Sequence, residues 1–452
     1  MDIEGILVIG LGRSGLGAAR LANRHNIPVY VTEQSRNKHN EEKFRELDKL
    51  CIPYETDNTE KFFKNCNLAV ISPGIDPENE YIKKVENEMK IISELEFAYK
   101  FKKSNQKIIG VTGTNGKSTT TTIIHDLLEE DGKKVALTGN IGFPLSDYID
   151  DGYDYFACEI SSYQLEKIEK FGSDVAVLLN VTPDHLNRYD QNFEKYFDAK
   201  KRIFENNQKN TISVLNADQP ELQVLAGKIR EPVYLFNMNE PVKKGAYIFN
   251  GKMVFREANK LEEIVDLANI KAKGIHNIEN MLASICATYK HVENKNIYKK
   301  VFSKFENLEH RLEEVKKING ILFINDSKAT NIESAQKALK SFNDNKINLI
   351  LGGDDSKKSD FSVLYSDICE KCKNVILLGE TTDRLKKELK DYSVNILTAR
   401  DMKEAVDIAF KNSSKGDIVL LSPAAASFDM YDSYEHRGQI FKECIMELKG
   451  NE

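Results

Sequence analysis

The chain has no long apolar run, no basic leader, no cysteine framework and no large excess of one charge, and each absence removes a class of function. Nothing approaches the roughly 20 consecutive apolar residues of a membrane-spanning helix. The start, Met1-Asp2-Ile3-Glu4, is acidic, whereas an export signal needs a basic start and a longer apolar core than the short run that follows. The seven cysteines are odd in number and scatter from Cys51 to Cys444, which argues against a disulfide scaffold. Cys369 and Cys372 form a C-x-x-C, but no second pair at finger-like spacing accompanies them, and both are expected inside a helical stretch over 363–373. A net charge of −6 favours neither nucleic acid nor an anionic membrane. The expectation is a soluble cytoplasmic protein without nucleic-acid or membrane partners.

What is present is a βαβ rhythm. Short β-branched runs are followed by glycine-containing turns and amphipathic helices, the pattern of parallel sheets covered by helices. Strands are expected at 6–10, 29–32 and 68–72, then at 108–112, 135–138, 155–159 and 175–180. A third series is expected at 321–325, 347–352, 375–379, 394–397 and 418–422. Asn250-Gly251 between two apolar runs predicts a hairpin, because Asn-Gly suits a type I′ turn. The 452 residues fit about three domains of roughly 150 residues each. The expected class is α/β: a Rossmann-like N-terminal domain over 1–103, a central P-loop ATPase domain over 104–300 and a Rossmann-like C-terminal domain over 301–452.

Gly113, Thr114, Asn115, Gly116, Lys117, Ser118 and Thr119 lie between an expected strand and an expected helix. Small residues there let backbone N–H groups converge on phosphate oxygens at a helix N-terminus. Lys117 can reach the β- and γ-phosphates, and Ser118 can ligate Mg²⁺. Two residues rather than the usual four separate the glycines, so the loop is a shortened variant. A turn that merely caps a helix would not call for Lys and Ser in succession.

Gly10-Leu11-Gly12-Arg13-Ser14-Gly15 is a full G-x-G-x-x-G, with Glu33 ending the next strand. Alone it reads as a dinucleotide site and suggests an NAD-linked oxidoreductase. Two nucleotide-type sites on one chain fit better with ATP at one and a nucleotide-linked substrate at the other. Glu159 ends a strand of the P-loop series and His185 lies just past the next, in Asp184-His185. Strand C-termini are where α/β sheets hold ligands, so both are candidate ligands for hard cations bridging phosphoryl oxygens.

These strings, together with Glu159-Ile-Ser-Ser and His276-Asn277-Ile-Glu-Asn280, resemble the Mur ligase family, the amide-forming enzymes of peptidoglycan precursor synthesis; folylpolyglutamate synthase has a similar P-loop. Within the family, Asn325-Asp326-Ser327-Lys328-Ala329-Thr330-Asn331, the run from Leu421 to Asp429 and Tyr434-Glu-His-Arg437-Gly438 resemble the members that add D-glutamate to UDP-N-acetylmuramoyl-L-alanine. The resemblance implies ATP on residues 113–119, Asn277 and Asn280, with Arg311 and Asp326 reaching over by domain closure. It implies two Mg²⁺ ions held by Ser118, Glu159, His185 and Lys200, the last carbamylated by CO₂, since an ammonium cannot ligate a cation. From the residues alone Lys200 would read as a solvated lysine of a basic helix.

The resemblance further implies that Arg13, Ser14, Ser72, Gly74 and Asn140 bind the UDP-substrate, and that Lys328, Thr330, Ser427 and Tyr434 bind D-glutamate. Lys357 or Lys358, with Lys358 preferred, would pair a carboxylate of that amino acid. Residues 33–36 depart from the family's common pattern, which leaves uracil contacts there open. A monomer is expected. The rivals are a sibling ligase or a folylpolyglutamate synthase-like ligase, an NAD-dependent oxidoreductase and a nucleotide-binding regulator.

Overall fold

In the computed structural model, residues 3–38, 40–230, 232–271, 274–342, 346–356 and 358–448 are described. They build three sheets. The first contains β1 (Ile6–Ile9), β2 (Val29–Glu33), β3 (Tyr54–Thr56), β4 (Leu68–Ile71) and β5 (Lys90–Ser93). Its order is 3-2-1-4-5 with every pair parallel. Strand β1 reads Ile-Leu-Val-Ile and is buried throughout, as a strand covered by helices on both faces must be.

The second sheet contains β6 (Lys107–Thr112), β7 (Val135–Gly139), β8 (Tyr155–Glu159), β9 (Val175–Leu178) and β10 (Ile212–Asn216). It continues through β11 (Val233–Asn237), β12 (Gly245–Phe249), β13 (Lys252–Glu257) and β14 (Lys260–Asp266), in the order 14-13-12-11-10-9-6-8-7. It is parallel as far as β12 and antiparallel beyond. The hairpin predicted from Asn250-Gly251 is present: Phe249 pairs with Lys252, and both turn residues have positive φ, 49° and 74°, as type I′ demands.

The third sheet contains β15 (Glu313–Ile318), β16 (Ile321–Asn325), β17 (Ile347–Leu351), β18 (Cys372–Leu377), β19 (Asn395–Thr398) and β20 (Ile418–Leu421), ordered 15-16-20-17-18-19. Only β15 is antiparallel to its neighbour. The fold is the expected α/β class, with two sheets extended by antiparallel strands that the βαβ rhythm did not announce.

One detail corrects the sequence reading. Cys369 and Cys372 do not share a helix: the helix Tyr365–Lys371 ends first and Cys372 opens β18, where its thiol is buried as a strand residue. The helix Asn296–Lys304 runs across the border expected at 300, fastened by buried Ile297, Tyr298, Val301 and Phe302.

The chain divides into two compact units, one comprising everything to Ile270 plus Glu279–Ser303, the other Lys271–Ile278 plus the chain from Lys304 onward. The first unit holds the first two sheets, tied by buried carboxylates. Glu94 Oε1 accepts the Ser146 N–H at 2.7 Å, and Glu96 accepts those of Glu169, Lys170 and Phe171 at 2.8–3.1 Å. Among the described residues no helix is long and apolar enough to cross a membrane.

Candidate active site

The centre of the first unit is set by strand order. Strand β6 lies between β8 and β9, with β7 beyond β8, so the C-terminal ends of four neighbouring parallel strands open onto one crevice. From them come Asn140 after β7, Glu159 at the end of β8, the glycine-rich loop after β6, and Asn180, Asp184 and His185 after β9. This is the position at which open α/β sheets bind ligands.

The glycine-rich loop is held by its neighbours. Asn115 N–H donates to Asn180 Oδ1 at 2.9 Å and Asn180 Nδ2 returns a bond to Asn115 O at 3.1 Å. The Thr114 hydroxyl meets the Tyr196 hydroxyl at 3.1 Å and receives the Thr182 N–H at 3.0 Å. Gly116 has φ 84° and caps the helix Lys117–Glu130. A Cβ there would stand 2.4 Å from Asn280 Oδ1, so only glycine fits. Asn280 in turn accepts the Thr120 hydroxyl at 3.2 Å, which brings this predicted residue against the loop. Ser118 stands on the first turn of that helix, and Thr119 is buried.

Three side chains mark where charge belongs. Lys117 Nζ donates to Gly113 O at 2.8 Å and Thr114 O at 2.7 Å. Lys200, 1% exposed, donates to the same Gly113 oxygen at 2.8 Å and lies 4.6 Å from the Tyr196 ring centre. Burial, reinforced by Lys117, holds the Lys200 amine well below the ordinary lysine range. Glu159, 2% exposed, accepts Asn140 Nδ2 at 3.0 Å on Oε1, while Oε2 is buried and finds no partner among the described residues. An orphaned buried carboxylate oxygen is incomplete by itself, and two amines sharing one carbonyl concentrate positive charge there. They fit a site finished by phosphate and hard cations. His185 sits in the left-handed region, φ 55°, with its ring edge-on to Tyr163 at 5.4 Å.

Beside this centre a cleft of about 410 Å³ brings Arg13, Ser14, Ser72, Gly74 and Asn140 together. The acid of the dinucleotide fingerprint is already engaged: Glu33 Oε2 accepts Leu11 N–H at 2.6 Å and Oε1 accepts Gln34 N–H at 2.8 Å. Asn58 and Asn79, which the sequence motifs did not single out, also line the cleft, as does Gln34 of the 33–36 segment.

The second unit carries the remaining predicted residues. Asp326 is 7% exposed. Burial raises its carboxyl to about 7, and it accepts the Ser422 hydroxyl at 2.7 Å. Lys328 Nζ stands 3.6 Å from the centre of the Tyr434 ring, and Lys328 N–H donates to His310 O at 3.0 Å. Thr330 follows on the same loop, and buried Ser427 lies after β20. Asn277 Nδ2 donates to Asn307 at 2.9 Å. Arg311 adjoins His310, whose ring meets Asn325 Nδ2 at 2.9 Å. Lys358 is exposed after β17; Lys357 lies outside the described residues.

Models of known families match all three regions: the MurD-like N-terminal domain of Mur ligases over 4–93, the Mur ligase middle domain over 111–288 and the Mur ligase glutamate ligase domain over 310–425. The UDP-N-acetylmuramoylalanine–D-glutamate ligase of Koribacter versatilis is 37% identical, covering 100% of both chains. That of Caldicellulosiruptor saccharolyticus is 38% identical over 99% of this chain and 100% of its own. The chain belongs to the Mur ligase family.

Solved structures agree on the fold. The pseudomurein peptide ligase type C of Methanothermus fervidus superposes with a TM-score of 0.63 at 18% identity, covering 99% of this chain and 100% of that one. The MurF ligase of Thermotoga maritima, in complex with ADP, gives 0.61 at 18% identity over 93% and 95%. At such identities the likeness concerns fold alone. As a Mur ligase this chain is an ATP-dependent ligase, and the NAD-linked alternative is set aside. The sequence motifs assigned no role to two residues that this Mur ligase packs around its glycine-rich loop, Asn180 and Tyr196. Their only local signal was position, one just past a strand end and one on the helix that carries Lys200.

Proposed function

We propose that this Mur ligase adds D-glutamate to UDP-N-acetylmuramoyl-L-alanine in cytoplasmic peptidoglycan precursor synthesis, acting as a monomer and converting ATP to ADP and phosphate. The observation that carries the chemistry is the meeting of residues 113–119, Glu159, the His185 loop and Lys200 at adjacent strand ends. The choice of D-glutamate is supported by relatives of that name matched over their whole length. The three functional regions are taken as 1–103 for the UDP-substrate, 104–300 for ATP and 301–452 for the amino acid.

The substrate carboxylate attacks the γ-phosphorus and ADP leaves, giving an acyl phosphate. The uncharged amine of D-glutamate then attacks the acyl carbon, and phosphate departs from the tetrahedral intermediate as the amide forms. The protein forms no covalent bond to either substrate. It positions the groups and neutralises charge: the 113–119 backbone and Lys117 hold the phosphates, Asn140 orients Glu159 and reaches the nucleotide-sugar cleft, and Asn280 fixes the loop. Asn277, Arg311 and Asp326 complete the ATP site. Lys328, Thr330, Ser427, Tyr434 and Lys358 receive D-glutamate. Ser118, Glu159, His185 and carbamylated Lys200 would hold two Mg²⁺ ions, which supply Lewis-acid stabilisation of phosphoryl charge when bound. The depressed proton affinity of Lys200 supports the carbamate: a neutral amine forms the N–C bond to CO₂ and releases one proton to solvent.

The test is phosphate release from ATP, Mg²⁺ and UDP-N-acetylmuramoyl-L-alanine with single amino acids added. Release is expected with D-glutamate and not with L-alanine, L-lysine or diaminopimelate. Release with one of those instead would assign a sibling reaction, and no amino-acid-dependent release would overturn the proposal.

A further inference from the structure

Arg437 is the largest of the fully buried side chains, 2% exposed, in the helix Tyr434–Glu447. Its guanidinium has five N–H donors, and five hydrogen bonds use them. Nε donates to Ser327 Oγ at 3.0 Å. Nη1 donates to Ala425 O and Ala426 O, both at 3.1 Å. Nη2 donates to Ser327 O at 2.8 Å and Ala425 O at 3.1 Å. Every acceptor is thus a carbonyl or hydroxyl of two loops, the one after β16 and the one after β20. Burial lowers the guanidinium only to about 10, so the charge persists at neutral pH.

These two loops carry the residues expected to receive the amino acid. Ser327 precedes Lys328 and Thr330, and Ala426 precedes Ser427. A third loop joins them: Asp354 N–H donates to Ala426 O at 3.0 Å, and Gly352 N–H to Pro423 O at 2.9 Å, with Lys358 a few residues on. The Ser327 hydroxyl also donates to Tyr434 O at 2.8 Å, which returns the contact to the helix that bears Arg437. Taking a guanidinium out of water is costly unless its donors are all met, and a planar fork holds several backbone oxygens at fixed spacing as a lysine cannot.

We infer that Arg437 is a positioning residue for the amino-acid site, fixing the loops after β16 and β20 in the spacing that lets Lys328, Thr330 and Ser427 bind one amino acid together. The inference rests on the amino-acid-binding reading given above. Its five hydrogen bonds go to Ser327, Ala425 and Ala426, none of them a residue assigned to ATP or the nucleotide-sugar; Asp326, assigned to ATP, precedes Ser327 and acts on the guanidinium by its charge.

The experiment compares wild type, Arg437→Lys, Arg437→Met and Ser327→Ala by steady-state kinetics in each substrate separately. A single-turnover measurement of ADP formation without amino acid accompanies it, the acyl phosphate being trapped by hydroxylamine. Arg437→Met is expected to raise KM for D-glutamate tenfold or more, with KM for the muramyl nucleotide within twofold of wild type, a severalfold smaller rise in KM for ATP through Asp326, and the trapped acyl phosphate at wild-type amplitude. Arg437→Lys and Ser327→Ala should shift the D-glutamate KM in the same direction by severalfold, and they keep the test valid should Arg437→Met fail to fold. Equal changes in all three KM values, or a fall in kcat with D-glutamate KM unchanged, would overturn the inference. Should wild type turn over with a different amino acid, the D-glutamate reading falls, and the selective KM shift is then expected for that amino acid.

Discussion

Lys200 and Arg437 are both buried cations, 1% and 2% exposed, yet the two regions hold them in opposite ways. Arg437 has every donor satisfied by loop oxygens. Lys200 shares one carbonyl oxygen with Lys117 and feels the charge of Glu159, one oxygen of which has no partner among the described residues. A guanidinium resists deprotonation and distributes its charge over a fork, so burying it produces a rigid joint. An amine in the same surroundings yields its proton and becomes a nucleophile. The C-terminal region thus uses its cation as scaffold, and the P-loop region leaves its cation chemically unfinished.

The sharpest way to break that contrast is Lys200→Met. If Lys200 is present for chemistry, kcat should fall by about 10²–10³-fold or more, while the melting temperature holds or rises, because an apolar chain of similar volume replaces a desolvated amine. Carbon-13 bicarbonate should give a carbamate resonance in wild type that is missing from the variant. Near-normal turnover in Lys200→Met, or a large loss of stability, would make Lys200 another scaffold residue and remove the distinction.

Arg188 lies between the two extremes, and a milder substitution there sharpens the comparison. It pairs with Glu166 at 2.7 Å, donates to Ile75 O at 2.9 Å, and stands 4.2 Å from the centre of the Tyr163 ring, which itself abuts His185. It therefore ties the loop after β4, which lines the cleft proposed for the nucleotide-sugar, to the loop that carries His185. Arg188→Gln is expected to lower kcat by about 10–10²-fold, the scale of a small misplacement, and to raise KM for the muramyl nucleotide, with KM for D-glutamate unchanged. A rise confined to D-glutamate would assign Arg188 to the wrong site.

Much of this was legible in the sequence, and what was not has physical reasons. Strands such as β1 and β8 announce themselves by continuous apolar runs before a glycine or a carboxylate. The phosphate loop is visible because its glycines and its Lys-Ser pair are contiguous. Strand β5, Lys-Ile-Ile-Ser, was not among the expected strands, because only three residues precede the Ser93 that caps the next helix. The antiparallel β14, Lys-Leu-Glu-Glu-Ile-Val-Asp, is largely exposed and so lacks a buried-strand pattern. Lys200 and Arg437 differ most of all. Each looks like one more basic residue on a helix, and their burial is completed by residues more than 80 positions away. Glu33 shows the reverse, since its motif pointed to a ribose while the fold turns its oxygens onto the loop beside it.

A buried anion gives the smallest of these effects and completes the comparison. Glu94 is 1% exposed; Oε1 accepts Ser146 N–H at 2.7 Å, and Oε2 finds no partner among the described residues. Burial raises its carboxyl from 4.5 to about 7. The folded state therefore holds this proton more tightly than the unfolded chain does. The resulting penalty is absent well below the unfolded value, grows as pH rises from about 4 to 7, and is complete above, at most about 3 kcal/mol. Glu94→Gln keeps the acceptor for Ser146 and removes the charge. Its melting temperature should exceed that of wild type by a few degrees at pH 8 and converge with it near pH 5. Equal destabilisation at both values would mean that the charged form is matched by the fold, placing Glu94 with Arg437 among the satisfied joints rather than with Lys200.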